Sequence, residues 1–195
     1  MLAQLRPALV ATVLFTLLLG VGYPLLVTGI ASVAFPVQAG GSLIRDREGR
    51  LVGSALLAQG FAEARYLQPR PSAAGMGYDA SGSSGSNLGP LNEDLITRQK
   101  EAATAYRADT GGAVVPADAL TTSASGLDPE VSPATARLQT ARIAAARGVD
   151  AAQVERIIAA RTTAPALGFL GQTRVNVLQV NLDLDARFPV RPPAP

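Results

Sequence analysis

The sequence predicts an α+β fold: a single N-terminal transmembrane helix followed by one extracytoplasmic domain of mixed helices and strands. Three observations carry this. Residues 7–44 contain no charged side chain. Several later segments open with explicit helix-capping residues. The short apolar runs between them do not alternate with helices as βαβ units would. The implied organisation is a short cytoplasmic N-terminus at 1–7, a transmembrane helix at 8–35, an α+β domain at 36–188 and a Pro-rich tail at 189–195.

The apolar heart of the first run, residues 8–35, would extend roughly 40 Å as a helix, more than the roughly 30 Å hydrocarbon core of a bilayer. A cleaved secretory signal is the rival reading, since Arg6 supplies a basic flank and Ser32-Val33-Ala34 resembles a small-residue cleavage site. A signal's apolar region is only about 7–15 residues long, whereas here it continues from Leu9 to Val33. Retention as an anchor is the better reading. Counting basic residues sets Arg6 and the terminal amine against Arg45, Arg47 and Arg50. Arg6 abuts the span, however, and long domains cross largely regardless of charge, so the C-terminal domain is placed outside the cytoplasm.

Within the anchor, Ala8, Thr12, Thr16, Gly20, Pro24, Thr28 and Ser32 recur at every fourth position. Such a ridge lets a neighbouring helix approach closely, although an i, i+4 row drifts by about 40° per step. Chance spacing in an Ala/Gly/Thr-rich span is the alternative. Pro24, which lacks an amide donor, predicts a kink best covered by other helices. Thr12, Thr16, Gly20 and Pro24 are the expected helix-packing residues.

After Gly40-Gly41, the runs Ser42-Leu43-Ile44 and Leu51-Val52-Gly53-Ser54 flank a charged turn and predict a hairpin or two edge strands. Residues 72–90 hold five glycines and five serines. They are either a flexible linker or an ordered, partner-facing loop. Asn92 can cap a helix over 91–106, with Glu93 and Asp94 at its positive end. Val114-Val115-Pro116 predicts a short strand or extended entry. Ser132-Pro133 opens a helix through Arg147. Asp150 and Gln153 form a capping box, with Val149 and Val154 as a staple, for a helix ending near Arg161. Residues 173–184 predict a strand with a bulge near Val177-Leu178, because the apolar alternation changes phase there.

Composition narrows the chemistry. Seventeen basic residues face 15 acidic ones, interspersed along the chain, so no basic stripe offers itself to nucleic acid. Without histidine or cysteine, Ser-His and Cys-His relays, thiolate chemistry and the usual zinc ligands are closed. The lone lysine, Lys100, follows Thr97 rather than a serine at the Ser-x-x-Lys spacing. No catalytic constellation and no metal site is predicted, and no Walker-type phosphate loop is present.

The order of local motifs resembles one family closely. Its carriers are Leu5-Arg6-Pro7-Ala8, Tyr23-Pro24-Leu25, Gly41-Ser42-Leu43-Ile44 and the run from Gly53 to Phe61. They continue with Tyr66, Arg70-Pro71-Ser72-Ala73, Ser84-Gly85-Ser86-Asn87-Leu88-Gly89-Pro90 and Ser123-Ala124-Ser125-Gly126-Leu127-Asp128-Pro129. Gln139 with Arg142 and Val175-Asn176-Val177-Leu178 complete the set. Together these resemble KdpC, the accessory subunit of the bacterial Kdp potassium-transporting P-type ATPase. Gln68-Pro69 departs from the histidine-glycine type pair common there.

The resemblance implies a non-catalytic subunit of the bacterial inner membrane, single-pass with a periplasmic domain. Its partners would be a potassium-channel-like subunit, a P-type ATPase subunit, a small single-span subunit and membrane lipid. It also implies a catalytic chaperone that raises the pump's ATP affinity; the family's ATP-binding label would then apply through the complex, with no cofactor held by motif. The expected partner-contact residues are Arg70, Ser72, Ser86, Asn87, Ser123, Ser125 and Asp128. Ordinary turn and capping chemistry is the alternative role for the same residues. A solitary membrane-anchored binding or envelope-structure protein is the alternative function.

Overall fold

The structure, a computed structural model, describes residues 2–46 and 48–189. It divides into two compact units, one ending at Leu43 and one beginning at Ile44.

In the first unit a 3-10 turn precedes helix α1 (Leu5–Phe15), a π-helical stretch follows at Thr16–Gly22, and helix α2 (Tyr23–Ala34) completes the rod before the short α3 (Pro36–Ala39). Residues Leu5–Ala34 form one apolar helix of 30 residues, long enough to cross a membrane, with a mean hydropathy of 2.2 over its most apolar window. Its large apolar side chains, Leu9, Leu17 and Leu25 among them, are exposed, which suits a helix whose solvent is lipid. Just before Pro24, where a kink is expected, the helix makes π-helical turns. Proline offers no amide proton, and the Tyr23 N–H reaches back five residues to the Leu18 carbonyl.

The second unit begins within β1 (Leu43–Arg45), which pairs with β2 (Leu51–Ser54) as a two-stranded sheet. The turn between them is closed by Asp46, whose carboxylate accepts from the Glu48 and Arg50 amides at 3.0 and 2.8 Å. Residues 55–92 contain no helix or strand. Helix α4 (Glu93–Thr110) starts where Asn92 accepts from the Asp94 and Leu95 amides, and it stops at Gly111 in the left-handed conformation. No strand forms at Val114-Val115. The chain is extended at Pro116 and then makes the four-residue helix α5 (Ala117–Leu120), which the sequence reading missed.

Strand β3 (Glu130–Val131) leads to α6 (Pro133–Leu138) and α7 (Thr140–Arg147), capped by Ser132 on the Thr135 amide. The single helix expected over this stretch is interrupted at Gln139, whose side chain serves another segment. Helix α8 (Ala151–Ala160) begins with the predicted capping box, and Val149 packs against the core cluster that contains Val154. Strands β4 (Thr162–Thr163) and β5 (Arg174–Asn176) precede the last helix, α9 (Val177–Arg187). Strand β5 is central in an antiparallel sheet of order β3-β5-β4, with Val175 opposite both Val131 and Thr162.

The strand expected over 173–184 is therefore corrected. Only Arg174–Asn176 is strand, and the phase change at Val177-Leu178 marks a switch to helix rather than a bulge. Asn176 caps the new helix by accepting from the Gln179 amide at 3.1 Å. The buried residues Val177, Val180, Asn181 and Leu184 then fall at helical spacing. This face packs with Val154, Ile157 and Ile158 of α8 and Ile143 of α7 in one core cluster. Of the Pro-rich tail, only Pro189 is among the described residues.

Candidate functional site

The segment at residues 64–70 leaves a turn and then runs without regular structure, held by side chains from α7, from α9 and from the break before α7. Asn181 accepts from the Leu67 amide at 2.8 Å and donates to the Leu67 carbonyl at 2.9 Å. Gln139 does the same one residue later, accepting from the Gln68 amide at 2.9 Å and donating to its carbonyl at 3.1 Å. Both amides are almost fully buried, and together they stand in for a neighbouring strand. Arg142 donates to the Ala64 and Tyr66 carbonyls at 2.6 and 3.2 Å. Arg147, with no exposed side-chain surface, donates to Asp185 at 2.8 Å and lies over the Tyr66 ring.

This framework delivers Arg70, set between Pro69 and Pro71, to the turn at residues 121–128. Its guanidinium donates to the Asp128 carboxylate at 3.1 Å and to the Thr122 carbonyl at 3.2 Å. The Tyr78 hydroxyl donates to the Arg70 carbonyl at 2.8 Å. Ser72 donates to the Gly126 carbonyl at 2.6 Å while accepting from the Ala74 and Tyr78 amides. Ser125 accepts from the Leu127 amide through its hydroxyl and from the Ser84 amide through its carbonyl. The Ser123 hydroxyl accepts from the Asp128 amide at 3.4 Å. Five predicted contact residues, Arg70, Ser72, Ser123, Ser125 and Asp128, thus converge on one junction.

Of the two remaining, Asn87 has a φ of 50°, and Ser86 lines a cavity of about 110 Å³ with Leu88, Leu95 and Thr122. Residues 72–90 are an ordered loop without regular structure, stitched to the 121–128 turn. Gly126, at φ 67°, is its tightest point: an added Cβ would lie 2.5 Å from the Ser84 carbonyl oxygen. Thr12, Thr16, Gly20 and Pro24 belong to the apolar helix and not to this junction.

Beside the junction opens a cleft of about 470 Å³ lined by Arg70, Asp118, Asp128, Glu130 and Arg174 among others. Arg70 pairs with Asp128, and Arg174 with Glu130 at 2.9 Å. Asp118 accepts from the Ser132 amide at 2.7 Å and from the Ser132 and Thr135 hydroxyls at 3.0 and 2.7 Å. Burial pushes its carboxyl upward, but these donors together outweigh it and hold the group below the ordinary carboxylate value. The arrangement can bind and orient polar groups. Among the described residues no acidic cluster is placed to hold a metal ion.

Sequence reasoning missed the amide clamps of Gln139 and Asn181, which act on backbone 71 and 114 residues away. Buried amides inside otherwise apolar helical faces were the available signal.

Fold and site define a class: one apolar helix of membrane-spanning length, followed by a small α+β domain whose polar residues close a loop onto a turn. Residues 5–186 match the family described as "K+-transporting ATPase, c chain". Among similar chains is the potassium-transporting ATPase KdpC subunit of Caulobacter sp. (strain K31), 62% identical over 97% of this chain and 96% of that protein. The KdpC subunit of Beijerinckia indica is 58% identical across both full lengths. That of Mycobacterium bovis (strain BCG / Pasteur 1173P2) is 50% identical over 93% of this chain and 97% of its own. The chain belongs to the KdpC family.

Proposed function

We propose that this chain is the non-catalytic accessory subunit of a high-affinity, ATP-driven potassium uptake complex. It is held in the bacterial inner membrane by the helix Leu5–Ala34, with its α+β domain on the extracytoplasmic side. Its partners are a potassium-channel-like subunit, a P-type ATPase subunit and a small single-span subunit, and its effect is to raise the ATP affinity of the pump subunit. The observation that carries this reading is the match to the c chain of K+-transporting ATPases over residues 5–186, anchor and domain together.

Coupling works without ATP touching this chain. In the cleft each guanidinium is already paired, Arg70 with Asp128 and Arg174 with Glu130. A triphosphate would have to displace a carboxylate from each. Binding preferentially to one pump conformation instead changes ATP affinity by linkage. The test is the ATP dependence of potassium-stimulated hydrolysis by the reconstituted complex with and without this subunit. A several-fold rise in the KM for ATP on its omission is expected, and an unchanged KM would overturn the chaperone role. Arg70→Ala in the same assay is expected to reduce activity while the subunit stays folded. Unchanged activity would leave Arg70 a purely structural residue.

A further inference from the structure

Between β4 and β5 the chain makes a projecting turn, residues 164–171, that the junction does not use. Its backbone is fully organised. The Ala166 and Leu170 amides each donate to the other's carbonyl at 2.9 Å, Gly168 donates to Pro165 at 3.1 Å, and Phe169 donates to Ala166 at 3.2 Å. Its side chains nevertheless pack on little: Leu167 is 82% exposed, Phe169 73% and Leu170 52%. Leu167 also occupies the left-handed region, at φ 53°, which a leucine adopts only at a cost. A stiff turn that points three large apolar side chains outward has its ordering cost already met before anything binds.

Charge decides between a lipid surface and a protein. Residues 164–173 carry no charge. The flanking cations are internally neutralised, Arg161 by Asp183 at 2.7 Å and Arg174 by Glu130. A membrane-seeking tip gains from free Lys or Arg and from interfacial Trp or Tyr, none of which this turn offers. Three side chains are also too few for a stable interface alone, which buries about 800 Å² per partner. They suit the apolar centre of a larger contact with a polar rim. That rim is adjacent, because Gly171, Gln172 and Thr173 line the same cleft as Arg70 and Asp118. Three carboxylates there face two guanidinium groups, and among the described residues Asp118 has only uncharged donors.

We propose that residues 164–171 and the adjoining cleft form the element that docks this domain on another polypeptide of its ATPase complex. Leu167, Phe169 and Leu170 enter an uncharged apolar pocket, and a basic side chain of that polypeptide meets Asp118. The proposal rests on the accessory-subunit reading. It is tested by purifying the whole complex from detergent-solubilised membranes through a tag on the ATPase subunit. The wild-type chain is compared with a Leu167→Ser, Phe169→Ser double variant and with Met76→Ser, a fully exposed residue elsewhere. A photo-crosslinking amino acid at position 169 provides a second readout.

At least a threefold loss of retained subunit is expected for the double variant alone, with its melting temperature unchanged and a crosslink from position 169 to a complex polypeptide. Full retention of the double variant beside a retained wild type would overturn the docking element and leave the accessory reading standing. Crosslinks to lipid alone would also overturn it, in favour of a membrane tip. Failure of the wild type itself to co-purify would overturn both readings.

Discussion

Asn181 and Leu67 meet as a side chain and a backbone that pair like two strands, with N–H to oxygen contacts of 2.8 and 2.9 Å in both directions. Neither residue has appreciable exposure, so no water can replace either bond. The pairing fixes the depth of the 64–70 segment, and with it the position from which Arg70 reaches Asp128.

Truncating Asn181 to Ala strands one buried donor and one buried acceptor. Each costs about 1–3 kcal/mol when left unmade, so Asn181→Ala is expected to destabilise the chain by roughly 2–6 kcal/mol. Asn181→Asp should also destabilise it, since a carboxylate set against the Leu67 carbonyl keeps the acceptor and loses the donor. Thermal unfolding of the purified chain in detergent measures both, and a shift within error for Asn181→Ala would remove the clamp from the account.

Gly126 separates two costs that glycine substitutions usually mix. An added Cβ would lie 2.5 Å from the Ser84 carbonyl oxygen and 2.7 Å from the Ala74 amide, both backbone atoms, at a φ of 67°. Gly148 has nearly the same φ, 66°, with open space around it. Gly148→Ala is expected to cost about 1 kcal/mol, whereas Gly126→Ala should cost on the order of 3 kcal/mol. Gly126→Ala alone should release residues 72–90 to limited proteolysis. Equal losses for the two variants would mean that the loop yields and the close approach matters little.

Acid should weaken the domain through two carboxylates. Asp118 is held low by the Ser132 and Thr135 donors against the upward push of burial. Asp183 is held low chiefly by its hydrogen bond to Arg161, against partial desolvation. A carboxyl whose folded value lies below its unfolded value of about 3.9 contributes its stability in full above that pH and loses it as the pH falls through the folded value. Melting temperature should therefore fall from about pH 4 downward. The fall should be shallower in Asp118→Asn, with a smaller change in Asp183→Asn because that pair is partly solvated. An identical acid profile for Asp118→Asn would remove this carboxylate as a source of the sensitivity.

Legibility followed the range of the interaction. The caps at Asn92, Ser132 and Asp150 were readable because each acts on amides two or three residues ahead. The run from Val177 to Leu184 reads as strand in the sequence because apolar residues fall at alternate positions from Leu178 to Leu184. Its helical state draws on burial of Val180 and Leu184 in a core shared with α8, a tertiary effect that overrides local preference. The motifs around Arg70 and Ser125 could be picked out, but not that they would close on one another. The exposed turn at Leu167 and Phe169 carried only a weak signal: large apolar residues punctuated by Pro165, Gly168 and Gly171 suit a core as well as a surface.

Thr16 and Gly20 lie in the π-helical stretch, with Thr12 in α1 and Pro24 in α2. An α-helix carries residues four apart steadily around its axis, whereas i→i+5 turns advance less per residue and rotate the row back. The ridge of small residues is therefore held nearer one face than an unbroken α-helix would hold it. A Cβ at Gly20 would meet nothing closer than the Thr16 methyl at 3.9 Å, so Gly20→Leu fits the isolated helix without strain. It should leave membrane insertion and domain melting unchanged while lowering recovery of the other subunits of the potassium-transporting ATPase with this chain several-fold. Full recovery of those subunits with Gly20→Leu would return the ridge to chance spacing.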